Sequence, residues 1–272
     1  MKKKLLITLG DSLTEGVGCY DMSKMPHGVK YNGLEKEDKE YQEERFHRLG
    51  WPNHVGRALG FDKVINLGYG GTSNCYSAKM LIERVLPNSD WMSNDIYILW
   101  MSTEPTRFSF FDGIYLKSFK PGFGSDAKYL SHSYLRSIKN YELGSLNEQV
   151  FYTKVIEQVC EHNGFKLAIV HWSNTLKNLY HLYPSPYFLF PPPAIIGRSN
   201  LISPQDFSPI CRHPNESGYK KIADTIVDGI KNSREEFVVG SPKTEIEWEW
   251  RGSNEFPEKN LKVEFSHNTR LF

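Results

Sequence analysis

Near the start of the chain, "LLITLGDSLTEGVGCYD" carries an apolar stretch into Gly10, Asp11 and Ser12. A serine beyond a strand and at the start of a helix presents its hydroxyl to a base. Nearby backbone N–H groups then point toward any developing anion. That is the arrangement an acyl-transfer nucleophile needs. A tight turn in which Asp or Ser caps a helix yields the same residues for structural reasons alone. Toward the other end, "CRHPNESGYKKIA" sets His213 just ahead of a helix. Nucleophile and base are recognised by geometry and not by chain order, so His213 is a candidate base for Ser12. Its plainer alternative is a surface histidine before Pro214, with Asn215 as N-cap.

Strands and helices must alternate to bring these two residues together, and they do. "KLLITLG", "KVINLG", "DIYILWMS" and "KLAIVHWS" read as strands. Between them, "WPNHVGRALG", "NCYSAKMLIERVL" and "SLNEQVFYTKVIEQVCEHNG" read as helices. In the third helix Phe151, Val155 and Val159 define the expected inner face, and Gly164 the stop. The last helix, "NESGYKKIADTIVDGIKN", aligns Tyr219, Ile222, Ala223, Ile226 and Ile230. Continuously apolar strands alternating with helices imply a parallel sheet covered on both faces. The expected fold is a three-layer, doubly wound α/β domain over residues 1–235. Its ligands would sit at the carboxyl ends of the strands.

Three insertions interrupt the alternation, at about 22–48, 105–142 and 174–210. The first, with "LEKEDKEYQEER", is expected as a solvated helix. The other two are long and aromatic, the last containing "YPSPYFLFPPP", and read as binding loops, packed loops or a protein-partner surface. Residues 236–272 change character. "TEIEWEW" alternates strictly and "LKVEF" repeats the pattern, so a strand pair outside the main fold is expected there.

"GDSL" with Ser12, the glycine turn "NLGYGGTSN" and "HPNESGYKKIA" with His213 resemble the GDSL/SGNH hydrolase family over residues 4 to about 232. The resemblance implies Ser12 as nucleophile and His213 as general base. It also implies the backbone N–H groups of Ser12 and Gly71 as oxyanion donors, without metal or organic cofactor. Family members cleave acyl esters, acetylated carbohydrates among them. The chain departs from the pattern twice. Where the family has Gly-x-Asn-Asp, this sequence reads "WMSTEP", with Thr103 and Glu104 at the Asn and Asp positions. Loss of one oxyanion donor costs on the order of 100- to 1000-fold in rate. Ser102, Thr103 or Asn74 are the candidate substitutes. At the Asp-x-x-His element Ile210 replaces the aspartate, and Asp206 is the nearest carboxylate able to orient His213. Asp11, Arg107, His171 and Trp172 are the candidate substrate contacts; Arg107 reads equally as a surface ion pair with Glu104, and His171 and Trp172 as core residues at a strand end.

Composition excludes several partners. With 33 basic and 32 acidic residues the formal net charge is +1, which gives no electrostatic case for nucleic acid or an anionic membrane. No run approaches the roughly 20 apolar residues of a membrane helix. "MKKKLLITLG" reads as a first strand and not a leader, and with no paired spacing among four cysteines a cytoplasmic setting is expected. "GYGGTS" has Ser73 where a dinucleotide loop needs its third glycine. Aromatic residues make up 14% of the chain, a share that suits sugar faces or a protein interface as well as a core. The expected function is a serine esterase acting on a small acyl or glycan ester. The rival is a catalytically weak SGNH-like binding module that uses its aromatic loops and C-terminal segment as an interface. A transferase with a sugar hydroxyl as acceptor is the third reading.

Overall fold

The computed structural model describes residues 2–25, 33–103, 108–112, 115–119, 141–172, 183–190, 201–211 and 213–250. Its main sheet has five strands, β1 (Lys4–Leu9), β2 (Lys63–Asn66), β3 (Asp95–Ser102), β6 (Lys166–His171) and β7 (Glu247–Trp250), in the order β6-β3-β1-β2-β7. Every neighbouring pair is parallel.

The strands are buried on both faces because their side chains alternate between two cores. Leu5, Ile7 and Leu9 point into one, with Ile65, Ile98, Trp100 and Ile169. Leu6, Val64, Leu99, Met101 and Val170 point into the other. Helices α4 (Asn74–Met80), the short α5 (Ser89–Met92) and α6 (Tyr141–Asn163) cover the first face; α3 (Trp51–Leu59) and α7 (Glu216–Ser233) cover the second. The result is a three-layer doubly wound α/β fold, in which full burial of each large apolar side chain contributes roughly 1.5–3 kcal/mol. Helix α7 presents the expected face, with Tyr219, Ile222, Ile226 and Ile230 fully buried.

In α6 the inner face differs from the expected one. Phe151 is 59% exposed, while Gln149, Thr153, Ile156, Glu157 and Cys160 face inward. Val155 and Val159 of the expected face do pack, partly buried, against this core, so the buried stripe is rotated from the expected one and leaves Phe151 outside it. The helix stops at Gly164, whose φ is +70°.

The insertions are partly built into the fold. Helix α2 (Lys36–Leu49) forms in the first, but it is not solvated all round, since Gln42, Phe46 and His47 are buried. Strands β4 (Phe108–Asp112) and β5 (Tyr115–Phe119) form an antiparallel pair in the second. In the third, Phe188 and Leu189 are buried and Leu189 N–H donates to Ile169 O of β6 at 3.0 Å, so this described stretch packs on the sheet edge.

The C-terminal β segment extends the main sheet. Strand β7 pairs with β2, with Lys63 opposite Glu247 and Asn66 opposite Trp250, and not with a partner outside the fold. The reason lies in its alternation. Glu247 and Glu249 reach Lys63 Nζ at 3.1 and 2.7 Å, while Trp248 packs toward the α3/α7 core. An exposed edge on β2 is thereby covered. "LKVEF" lies outside the described residues. Among the described residues no helix is long and apolar enough to cross a membrane.

Candidate active site

The chain leaves β1 to one side for β2 and crosses to the other for β3. The switch point therefore lies between the carboxyl ends of β1 and β3, where such folds bind ligands. Ser12 stands there as the first residue of α1 (Ser12–Glu15). Asp11 caps this helix by accepting Leu13 N–H at 3.0 Å, and Thr14 and Glu15 N–H donate to Asp11 O. Gly10 makes the turn possible. At φ +151° an added Cβ would lie 2.1 Å from Thr14 Oγ1 and 2.8 Å from Met101 O. Gly10→Ala is therefore expected to destabilise the protein by about 1–3 kcal/mol, read as a lower denaturant midpoint.

His213 arrives from the segment before α7. Ser208 N–H donates to His213 O at 2.7 Å, and Asn215 caps α7 by accepting Gly218 N–H at 3.1 Å. Gly18 lets this segment approach α1, since a Cβ there would meet Pro214 O at 2.2 Å. The outcome is a contact of 2.9 Å between His213 Nε2 and Ser12 Oγ. On the other side of the ring, Nδ1 lies 3.2 Å from Cys211 O. A carbonyl only accepts, so Nδ1 carries the proton and Nε2 offers its lone pair to the Ser12 hydroxyl. Burial works to lower the His213 pKa, but contact with Cys211 and the charge of Asp11 outweigh it and hold the imidazole above its ordinary value.

Asp206 does not orient this ring. Its carboxylate accepts from Ser203 N–H at 2.8 Å, Ser217 Oγ at 2.9 Å and Lys221 Nζ at 2.5 Å. It closes a capping box with Ser203, and the Lys221 ammonium and Ser203 hold it well below the usual carboxylate range. The orienting group at Nδ1 is a backbone carbonyl instead. Asp206→Asn is expected to lower Tm while leaving ester turnover within about threefold, against the ~10⁴-fold loss that follows the same change at a triad aspartate.

The expected side-chain oxyanion donors are also committed elsewhere. Thr103 gives its single hydroxyl proton to Asp11 Oδ2 at 2.9 Å. Asn74 ties the end of β3 to α6: its Oδ1 accepts Thr103 N–H at 2.9 Å, and its amide donates to Thr103 O and Gln149 Oε1. Ser102 is fully buried with Oγ 2.5 Å from His171 Nδ1. What remains is backbone. Gly71, at φ +79°, has open space around it, and neither its N–H nor that of Ser12 has an acceptor among the described residues.

The expected substrate contacts are placed as follows. Asp11 turns inward to Leu13 and Thr103 and is 2% exposed. His171 is buried behind β3 against Phe188, and burial pushes its pKa down to about 3, so it is a neutral packing group. Trp172 is half-buried against the α3/α7 core. Arg107 and Glu104 lie outside the described residues. Sequence reasoning passed over Glu15, whose carboxylate accepts Gly70 N–H at 2.7 Å. The signal was there, a carboxylate three residues beyond Ser12, but on a helix it reads as solvated surface. Gln149 and Trp250 gave no signal, because their contacts depend on tertiary placement.

The chain is thus a doubly wound α/β protein with a serine–histidine pair at the carboxyl edge of its parallel sheet. Neither a protein-family model nor a curated protein matches the sequence. Among solved structures it is similar to a carbohydrate esterase whose active site displays divergent catalytic and non-catalytic binding functions. That likeness has a TM-score of 0.50 and 12% identity, over 87% of this chain and 67% of that one. A lipase from a goat rumen metagenome aligns with TM-score 0.41 and 15% identity, over 83% of this chain and 96% of that one. An α/β hydrolase from the metagenome of Lake Arreo, Spain, aligns with TM-score 0.34 and 14% identity, over 84% and 95%. What the carbohydrate esterase shares with this chain is the fold.

Proposed function

We propose that this protein is a serine ester hydrolase of the GDSL/SGNH type, acting through an acyl-enzyme on Ser12. The observation that carries the proposal is the 2.9 Å contact between Ser12 Oγ and His213 Nε2, with Nδ1 held by a carbonyl. Ser12 attacks the ester carbonyl as His213 takes its proton, and the alcohol leaves with that proton. His213 then activates water, which releases the acid and restores the serine. The N–H groups of Ser12 and Gly71 bind the tetrahedral oxyanion. No step calls for a metal or an organic cofactor.

The preferred substrate is a small acyl group, such as acetyl on a saccharide. The aromatic share of the sequence supports this, as does the similarity in fold to a carbohydrate esterase. With a backbone carbonyl behind His213 and two oxyanion donors instead of three, turnover is expected to be slow. The third donor alone corresponds to roughly 100- to 1000-fold. Commitment of Thr103, Ser102 and Asn74 to internal partners favours a second reading, a catalytically weak or inactive binding module.

Incubation with acetylated oligosaccharides and short-chain p-nitrophenyl esters separates the two. Release of free acetate supports the hydrolase. Saccharide binding by calorimetry with no acetate released on any ester supports the module. Acetate passed to an added sugar in preference to water identifies a transferase.

A further inference from the structure

The glycine turn after β2 is gripped by groups that the proposed reaction does not use. Glu15 ends α1, three residues after Ser12, and is 9% exposed. Its Oε2 accepts the Gly70 N–H at 2.7 Å. A Cβ on Gly70 would lie 2.9 Å from that oxygen and 3.5 Å from Ser12 Cβ, so carboxylate, turn and serine are packed together. A Cβ on Gly68 would lie 2.6 Å from Glu15 N, which leaves the turn flat against α1. From the far side Trp250 of β7 donates Nε1–H to Gly68 O at 3.3 Å. The same indole stacks on His47 at 4.0 Å, and His47 Nδ1 lies 3.1 Å from Glu15 O.

A buried carboxyl is costly here. Burial pushes Glu15 up to about 7; the Gly70 N–H opposes the shift and the charges of Glu43 and Asp11 add to it. An apolar side chain of similar volume would serve packing as well or better. What such a side chain lacks is an acceptor for Gly70. We infer that Glu15 is a positioning residue, holding the Gly70–Gly71 turn so that the Gly71 N–H faces the oxyanion formed at Ser12. The inference rests on the esterase reading above and adds to it the group that builds the oxyanion site.

Glu15→Met keeps the shape and removes the acceptor; Glu15→Gln keeps an acceptor oxygen and removes the charge. With p-nitrophenyl acetate, Glu15→Met is expected to lower kcat on the order of 10- to 100-fold, the scale of a misplaced catalytic group, with KM within about twofold. Its Tm should match or exceed that of the wild type, and Glu15→Gln should recover most of the lost kcat. A purely structural carboxylate would give the reverse, a lower Tm with kcat kept. Should Glu15→Met fail to fold, the Gly70 amide proton in Glu15→Gln is the readout. At a pH well above 7, where the wild-type Glu15 is ionised, it should move upfield as a charge-assisted bond becomes a neutral one, and an unmoved resonance overturns the inference. So does Glu15→Met with wild-type kcat, or Glu15→Gln as slow as Glu15→Met. An active wild type with either result overturns this inference alone. A wild type inert on every ester overturns the esterase reading and the positioning role with it.

Discussion

Ser12→Ala is expected to remove nearly all ester turnover, a fall on the order of 10⁴-fold in kcat. In a complete triad, deletion of the serine costs about 10⁶-fold. The loss here is smaller because the wild type starts lower, with Cys211 O in the place of a carboxylate and no side-chain oxyanion donor among Ser102, Thr103 and Asn74. The variant should fold normally. The Ser12 hydroxyl meets His213, while the helix cap is made by Asp11 and survives the substitution. Steady-state kinetics with p-nitrophenyl acetate, beside a thermal melt, separates lost chemistry from lost structure.

His213→Ala should lower kcat by about 10³- to 10⁴-fold, since the hydroxyl then has no base while the backbone N–H donors remain. The wild-type pH profile carries the same claim in another form. His213 acts as base when neutral, so kcat/KM falls as pH drops through its pKa. Burial lowers that pKa, but Cys211 and Asp11 raise it more, so the midpoint of the acid limb should lie above the ordinary 6.5 of histidine. An acid limb centred below that value would contradict the environment described here for His213.

The fold was legible because β1, β2, β3 and β6 carry continuous apolar runs, and the helix α7 shows an uninterrupted stripe of Tyr219, Ile222, Ile226 and Ile230. The proximity of Ser12 and His213 was legible for a related reason. Both sit at the edges of strongly patterned elements, and a doubly wound sheet delivers such edges to one end. The supporting contacts were not. Ser102 and Thr103 are polar residues at the end of β3 and Asn74 opens α4, and only three dimensions reveal that each already has an internal partner. Asp206 illustrates the same limit: seven residues from His213 in sequence, it is held by Lys221 and Ser203. Strand β7 was readable as a strand from its Glu–Trp alternation, but its partner was not. Pairing with β2 depends on Lys63 answering two glutamates, a contact between distant parts of the chain. In α6, apolar residues on several sides hid which face the core would choose.

Whether Ser12 is an activated nucleophile is open to one direct measurement. The protein is treated with a fluorophosphonate, digested, and the peptides are read by mass spectrometry. One phosphonyl adduct on Ser12, absent from Ser12→Ala and formed far more slowly in His213→Ala, is the expected result. An unlabelled protein, or a label that forms equally well without His213, would contradict the serine–histidine mechanism.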